Sequence, residues 1–307
     1  MNRQGNIERK ALLVGAFIYL VLGLSGWYTY YSSNSEAMLL DANYNMVNSF
    51  ASFIGFYVVK IRSKKTATFP WGQFIYESLY ALVKGILILG ILIAALWENS
   101  MKIYAYFLKG KTLVVNTDPI LPMIVISVVL SFGLAIYYKS SNKKIENTST
   151  MLATDTKAAM IDGYLFFFGG GSLLLMLYLG KIIPSLRFLQ FIGDALVVLI
   201  FEAVMIKEPI HIIKNNFVEL AGGQLQSDSE WKEIKDIVTN TPIRHFTISN
   251  VYIIKTGSSI LILVYISQNS ASSFIKKDDI IQFKASNITQ LIKMGYPNVA
   301  MELIIQG

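Results

Sequence analysis

The chain has 307 residues, of which 53% are hydrophobic and only 15% carry a charge. Soluble domains average about a quarter charged residues, so this composition predicts an integral membrane protein and excludes an ordinary soluble domain. The chain has no cysteine, which excludes disulfides, and only two histidines, which argues against a histidine-rich zinc site. Basic cytoplasmic loops explain its net charge of +7 without nucleic-acid binding.

Six apolar segments follow one another in chain order: residues 11–31, 37–61, 74–97, 122–138, 151–179 and 188–206. A helix crosses the hydrocarbon core with about 20 residues, so each segment is predicted to span the membrane. Six spans place both chain ends on the same side. Ten Lys and Arg residues flank the spans on that side, against five on the other. This asymmetry predicts cytoplasmic termini.

The pattern changes after Pro209. An amphipathic helix is predicted at residues 228–239 and a second helix at 277–293. Strands are predicted at 246–255, 260–267 and 298–305, the first two joined by a turn at 256–259. The order α-β-β-α-β predicts a small α+β domain. The predicted organisation is a membrane domain at 1–208, a linker at 209–226 and a C-terminal domain at 227–307.

Four polar side chains occupy positions i, i+3, i+4 and i+7 of the second span: Asp41, Tyr44, Asn45 and Asn48. This spacing places them in one stripe on a helix. The fifth span carries Asp155 and Asp162. Polar groups inside a membrane usually face the bundle interior or a water-filled path. Two such helices facing each other would hold a cation; the alternative is that the stripe only joins helices.

Four local motifs stand at matching places in this layout: residues 35–42 (SEAMLLDA), residues 69–72 (FPWG) followed by Glu77, residues 193–195 (GDA) and residues 219–222 (ELAG). In this order, and over nearly the whole chain, they resemble the cation diffusion facilitator family. The resemblance implies six spans and a cytoplasmic ferredoxin-like domain that mediates dimerisation. It also implies efflux of a divalent metal coupled to proton uptake by a homodimer.

The chain departs from that family at the metal site. The family has two His/Asp pairs, each spaced i, i+4, on spans two and five. The corresponding positions here are Tyr44, Asn48, Ala158 and Asp162. This set does not suit tetrahedral zinc, which favours histidine nitrogen and cysteine sulfur. The chain therefore resembles a divergent branch, and zinc specificity does not carry over.

The resemblance implies that the paired positions of spans two and five meet at one depth, which puts residue 46 level with residue 160. With a rise of about 1.5 Å per residue and antiparallel spans, Asp41 and Asp162 then differ by about 4.5 Å in depth, so both carboxylates reach one ion. Asp155 lies about 15 Å in depth from Asp41. The predicted metal ligands are Asp162, Asp41, Tyr44, Asn45 and Asn48. Oxygen ligands favour harder cations such as Mn²⁺, Mg²⁺ or Fe²⁺ over Zn²⁺.

Other charged residues in the spans receive supporting roles. Asp155 and Glu77 are predicted to form a proton relay or access path, although Glu77 also fits a structural pair with the basic loop. Lys84 and Lys157 are predicted to tune the charge of the site, and for Lys84 a structural pair with an acidic residue is the alternative.

Two further carboxylates lie in the sixth span. Asp194 is expected to be a charge at a helix N-terminus rather than a ligand, and Glu202 has no identifiable partner. No nucleophile–base pair or phosphate-binding loop is visible, so an enzyme is not predicted, and neither is a prosthetic group.

The predicted function is a homodimeric secondary transporter that exports a divalent cation in exchange for protons, with Asp41 or Asp162 taking up a proton when the metal leaves. The alternative is a non-transporting partner that regulates an active paralogue. The six-span layout and the lack of cysteine suit a bacterial inner membrane.

Overall fold

A computed structural model describes residues 3–110, 115–145, 150–242, 246–268, 277–296 and 298–306. The chain divides into two compact units. Unit 1 consists of Met1–Lys60 and Leu82–Ile213, and unit 2 consists of Ile61–Ala81 and Lys214–Gly307. Helix α3 runs through the boundary between them. The predicted domain bounds at residues 208 and 227 stay a prediction.

The membrane part is helical. Its helices are α1 (Arg3–Ser33), α2 (Glu36–Ile61), α3 (Ile75–Lys109), α4 (Ile120–Lys143), α5 (Thr150–Leu165), α6 (Gly171–Ile182), α7 (Leu189–Met205) and α8 (Lys207–Leu220). In the described part of the chain, five helical segments are long and apolar enough to cross a membrane: α1, α3, α4, α5 through α6, and α7 through α8. The predicted helical membrane protein is therefore confirmed.

Helix α2 corresponds to the second predicted span and is not among these five segments. Its 26 residues extend about 39 Å, long enough to cross a bilayer, but its polar stripe keeps its hydropathy below that of the five. Asn45, Asn48, Ser49 and Ser52 are buried. The Ser49 hydroxyl donates to the Ala16 carbonyl oxygen of α1 at 2.8 Å. The polar face of α2 therefore points into the helix bundle, as expected for a polar side of a membrane helix.

The fifth span is interrupted by a π turn, Phe166–Gly170, between α5 and α6. A Cβ on Gly169 would lie 1.9 Å from the Phe201 ring, and one on Gly170 would lie 2.6 Å from the Ile124 side chain. The side chains of α4 and α7 lie so close to the π turn that a larger residue at either glycine would force them to shift. π turns frequently occur at functional sites, and this one follows directly after the helix that carries Asp162.

Helix α3 is longer than predicted. We expected the third span to end near Trp97, whereas the helix continues to Lys109. The reason is that no glycine or proline interrupts residues 98–109. The helix ends at Gly110, whose φ of +61° favours glycine.

Helix α8 occupies most of the predicted linker. Pro209 lies in its first turn, where a missing N–H is tolerated. The helix ends in a Schellman motif, in which Gly222 has φ +73° and the Gly223 N–H donates to the Val218 carbonyl oxygen at 2.8 Å.

Unit 2 contains a three-stranded sheet with two helices, α9 (Asp228–Asn240) and α10 (Lys277–Lys293). The strands β1 (Phe246–Thr256), β2 (Ser259–Gln268) and β3 (Asn298–Gln306) lie in the order β1-β2-β3. β1 and β2 are antiparallel, and β2 and β3 are parallel. The predicted α-β-β-α-β order is confirmed.

The buried side chains of this domain follow the alternation of residues along its strands. Alternate residues of β2 (Ile260, Ile262, Val264 and Ile266) are buried, because successive side chains of a strand point to opposite faces. They pack with Ile234 of α9 and Leu291 of α10. The apolar stripe of each helix therefore covers the sheet.

Candidate cation site

A cavity of about 80 Å³ lies inside unit 1 and is lined by α2, α3, α5, the π turn, α6 and α7. Its polar lining consists of three side chains: Asp41, Tyr44 and Asp162. The first two lie one turn apart on α2, and the third lies on α5. Asp41 and Asp162, which were predicted to lie at similar depth in the membrane, therefore line the same cavity.

Asp41 is held in place by its own helix. The Asn45 amide nitrogen donates to Asp41 Oδ1 at 3.0 Å and to the Asp41 carbonyl oxygen at 3.0 Å. Asp41 Oδ2 is buried and has no hydrogen-bond partner among the described residues. One carboxylate oxygen is therefore positioned by the i, i+4 amide, and the other is available to a ligand.

Asp162 of α5 presents a second buried carboxylate to the cavity. Its side chain is 8% exposed, and its Oδ2 atom is buried without a hydrogen-bond partner in the described part of the chain. An ionised carboxylate buried without a partner costs several kcal/mol, on the order of the desolvation penalty of the ion. A cation bound between Asp41 and Asp162 would offset that cost.

The rest of the cavity wall is apolar. Leu92, Phe166 and Val198 are among the residues that close it. The cavity is large enough for a cation with bound water. Because its lining is mostly apolar, few protein dipoles screen the field of the two carboxylates.

The other predicted ligands lie beside the cavity rather than on its wall. Asn45 and Asn48 are 2% and 4% exposed, and neither lines the cavity. Asn45 positions Asp41, as described above. The assignment of Asn45 and Asn48 as metal ligands stays a prediction.

Lys84 of α3 is half-buried, and its charge acts on both Asp155 and Asp162. Asp155 is half-buried on α5 and does not line the cavity; the charge of Glu8 also acts on it. Lys157 is exposed. The structure therefore brings Lys84 towards the two carboxylates of α5 and places Lys157 on the surface of the unit.

Glu77 belongs to unit 2 and makes defined contacts there. Its Oε1 atom forms an ion pair with Arg62 at 2.6 Å, and its Oε2 atom accepts from the Ser258 N–H at 2.5 Å. Glu219 of α8 accepts from the Gly257 N–H at 3.1 Å. The start of α3 and the end of α8 thus hold the β1–β2 turn. These contacts support the structural alternative for Glu77, and its role in proton access stays a prediction.

Asp194 has a role that the sequence did not reveal. It lies in the second turn of α7, so the helix N-terminus at which its charge acts is that of another helix. It caps α2: its carboxylate accepts from the Ser35 hydroxyl at 2.8 Å and from the Glu36 N–H at 2.5 Å. The Lys102 Nζ atom lies 3.6 Å from Asp194 Oδ2. The capping partner is 159 residues distant, so no local pattern indicates it.

The donor chemistry of this site is oxygen. Among the described residues, no three His, Cys, Asp or Glu side chains are grouped so that they could hold a metal ion. Two carboxylates balance the charge of a divalent cation, and a phenol and water complete a set of oxygen ligands. Such a set matches hard divalent cations better than zinc.

Comparison with known proteins agrees with the fold. A family model described as the cation efflux transmembrane domain matches residues 12–221, more than half of the chain. No curated protein matches the sequence. The matched region contains every helix that lines the cavity. The chain is an integral, multi-pass membrane protein of the metal cation efflux class and belongs to the cation diffusion facilitator family.

Proposed function

We propose that this protein is a secondary transporter that exports a divalent metal cation in exchange for protons. The observation that carries the proposal is the pair of buried, unpartnered oxygens, Asp41 Oδ2 and Asp162 Oδ2, on residues that line one cavity. Membership of the cation efflux family supports metal as the cargo. The pair supplies two negative charges, which match one divalent cation.

The oxygen ligands favour Mn²⁺, Mg²⁺, Fe²⁺ or Co²⁺ as cargo over Zn²⁺. Asp41, Asp162 and Tyr44 contact the ion directly, and Asn45 and Asn48 support it. When the ion leaves, Asp41 or Asp162 takes up a proton. Asp155 lies on the access path, and Lys84 tunes the charge around it.

The transporter works by alternating access, as a homodimer that contacts lipid, metal ions and protons. Basic residues flank the spans on the side of both termini, which supports cytoplasmic termini in a bacterial inner membrane. The C-terminal α+β domain serves dimerisation.

The test uses purified protein in liposomes that contain a pH-sensitive dye. Mn²⁺, Mg²⁺, Fe²⁺, Co²⁺, Zn²⁺ and Cd²⁺ are added one at a time. We expect a metal-dependent pH change in the wild type, with the largest response for a hard cation. Asp162→Ala should abolish it, whereas Asp118→Asn, at an exposed loop position, should not. Unchanged transport by Asp162→Asn would refute the ligand assignment.

A second candidate is a non-transporting member that binds and regulates an active paralogue. Two observations favour it: only two carboxylates line the cavity in the described part of the chain, and the charge of Lys84 acts on one of them. Folded protein that gives no pH change with any of the six metals would support this candidate. A Lys84→Gln variant that gained metal-dependent flux would show that the lysine blocks the site.

A further inference from the structure

A further buried carboxylate of unit 1, Glu202 of α7, lies outside the set of cavity-lining residues. Its side chain is 3% exposed. Both carboxylate oxygens are buried, and neither has a hydrogen-bond partner among the residues that the structure describes. Asp41 and Asp162 each have one buried oxygen without a partner among the described residues, whereas Glu202 has two. A carboxylate in this position inside a membrane requires an explanation.

Glu202 lies at the edge of the cavity-lining face of α7. At 100° per residue it is about 40° around the helix from Val198 and about 60° from Met205. Both of those residues line the cavity. Val198 also packs with Leu40 of α2 and Leu92 of α3. Glu202 is therefore one helical turn from the cavity wall, on the side of α7 that faces α2 and α3.

Among the residues that the structure describes, no counter-charge on the neighbouring helices pairs with Glu202. In unit 1, the described ionisable side chains of these helices are Glu36, Asp41, Tyr44, Tyr57 and Lys60 (α2), Lys84, Glu98, Lys102, Tyr104 and Tyr106 (α3), Tyr178 and Lys181 (α6) and, after α7, Lys207, Glu208 and His211 (α8). Within the described part of the chain, none of them forms a hydrogen bond or an ion pair with the Glu202 carboxyl group. Without a counter-charge, an ionised Glu202 would carry the full cost of desolvation, and the neutral acid avoids that cost.

We propose that Glu202 carries a proton in the direction opposite to the metal, at a site separate from the metal ligands. The inference rests on the proposed exchange. When M²⁺ enters from the cytoplasm, its charge disfavours the proton on Glu202, and the O–H bond breaks to release H⁺ to the cytoplasm. When M²⁺ leaves outward, the carboxylate binds H⁺ from outside. Binding of either cation weakens binding of the other, as linkage requires.

The first measurement is proton release on metal binding. Mn²⁺ is added at pH 7 to purified, full-length protein in weakly buffered detergent solution, and protons released per bound Mn²⁺ are measured with a dye. Glu202→Gln should release about one proton fewer than the wild type, because one carboxyl group holds one proton, while still binding Mn²⁺. Glu98→Gln, at an exposed position on α3, is the matched control and should release the wild-type amount.

The second measurement is transport. In liposomes with an imposed pH gradient, the wild type should accumulate Mn²⁺ against its concentration gradient. Glu202→Gln should lose this uphill accumulation and keep downhill flux. Wild-type proton release and uphill accumulation in this variant would overturn the inference while leaving the proposed exchange intact. If the wild type moved no protons with any metal, the proposed function itself would be refuted.

If Glu202→Gln does not fold, the conservative variant Glu202→Asp is compared with the wild type by infrared spectroscopy. In addition to the band of the protonated Asp41 or Asp162, Mn²⁺ binding to the wild type should remove the infrared C=O band of protonated Glu202. Glu202→Asp keeps the carboxyl group and should shift that band. A band that is unaffected by Glu202→Asp would overturn the assignment.

Discussion

The cap that α7 provides for α2 can be tested by substitution of Asp194. This carboxylate is fully buried and accepts from the Ser35 hydroxyl and from the Glu36 and Ala37 N–H groups. Lys102, with 13% of its side chain exposed, lies 3.6 Å away. Because α2 carries Asp41, loss of the cap should loosen the helix that holds the cation site.

The magnitude follows from the groups that lose their partners. Loss of an N-cap costs about 0.5–2 kcal/mol, and removal of one member of a buried ion pair costs about 3–5 kcal/mol. Lys102 is not fully buried, so we expect Asp194→Ala to lower the free energy of unfolding by about 3 kcal/mol. Asp194→Asn keeps one acceptor oxygen and loses the charge, which should cost about 2 kcal/mol.

The assay is reversible unfolding of the purified protein by titration with sodium dodecyl sulfate, followed by tryptophan fluorescence. Asp118→Asn, at an exposed loop position, serves as the control and should change the free energy by less than about 0.5 kcal/mol. The expected order of stability is control, Asp194→Asn, Asp194→Ala. If Asp194→Ala unfolded at the same midpoint as the control, the capping argument would be wrong.

Two further predictions concern glycines. Gly169→Ala should destabilise the protein by about 1–3 kcal/mol and weaken Mn²⁺ binding, because its Cβ would lie 1.9 Å from the Phe201 ring at the cavity. Gly171→Ala is the control, because a Cβ there would have no neighbouring atom within 4 Å. Equal melting curves for the two variants would contradict this. Gly257→Ala should cost about 1–3 kcal/mol in thermal unfolding, because φ is +58° and its Cβ would lie 2.5 Å from Glu77 Oε2; an unchanged midpoint would show that the β1–β2 turn is not held as described.

The elements of the fold could be predicted from local patterns. The helix at Lys277–Lys293 has the predicted bounds, because an amphipathic stripe and flanking charges are local signals. The end of α3 could not be predicted in this way. Residues 98–109 are more polar than the span before them, so hydropathy placed the end near Trp97, whereas only Gly110 breaks the helix.

The candidate site could be predicted in part. The spacing of Asp41, Tyr44, Asn45 and Asn48 indicated one helix face, but it could not show which of them reach the cavity. Asn45 turns along the helix to Asp41, whereas Tyr44 lines the cavity. Which of these side chains lines the cavity depends on packing with α5 and α7, and no spacing within α2 contains that information.

The sequence by itself determined the membrane class, the order of the elements and the family, because these depend on composition, hydrophobic periodicity and local motifs. Only the tertiary structure decided which carboxylates are partnered. Asp194 caps a distant helix, Glu77 holds a strand turn, and Glu202 remains unpartnered among the described residues. The physical reason is that the state of a buried charge depends on groups brought near it through space, and those groups lie far away along the chain.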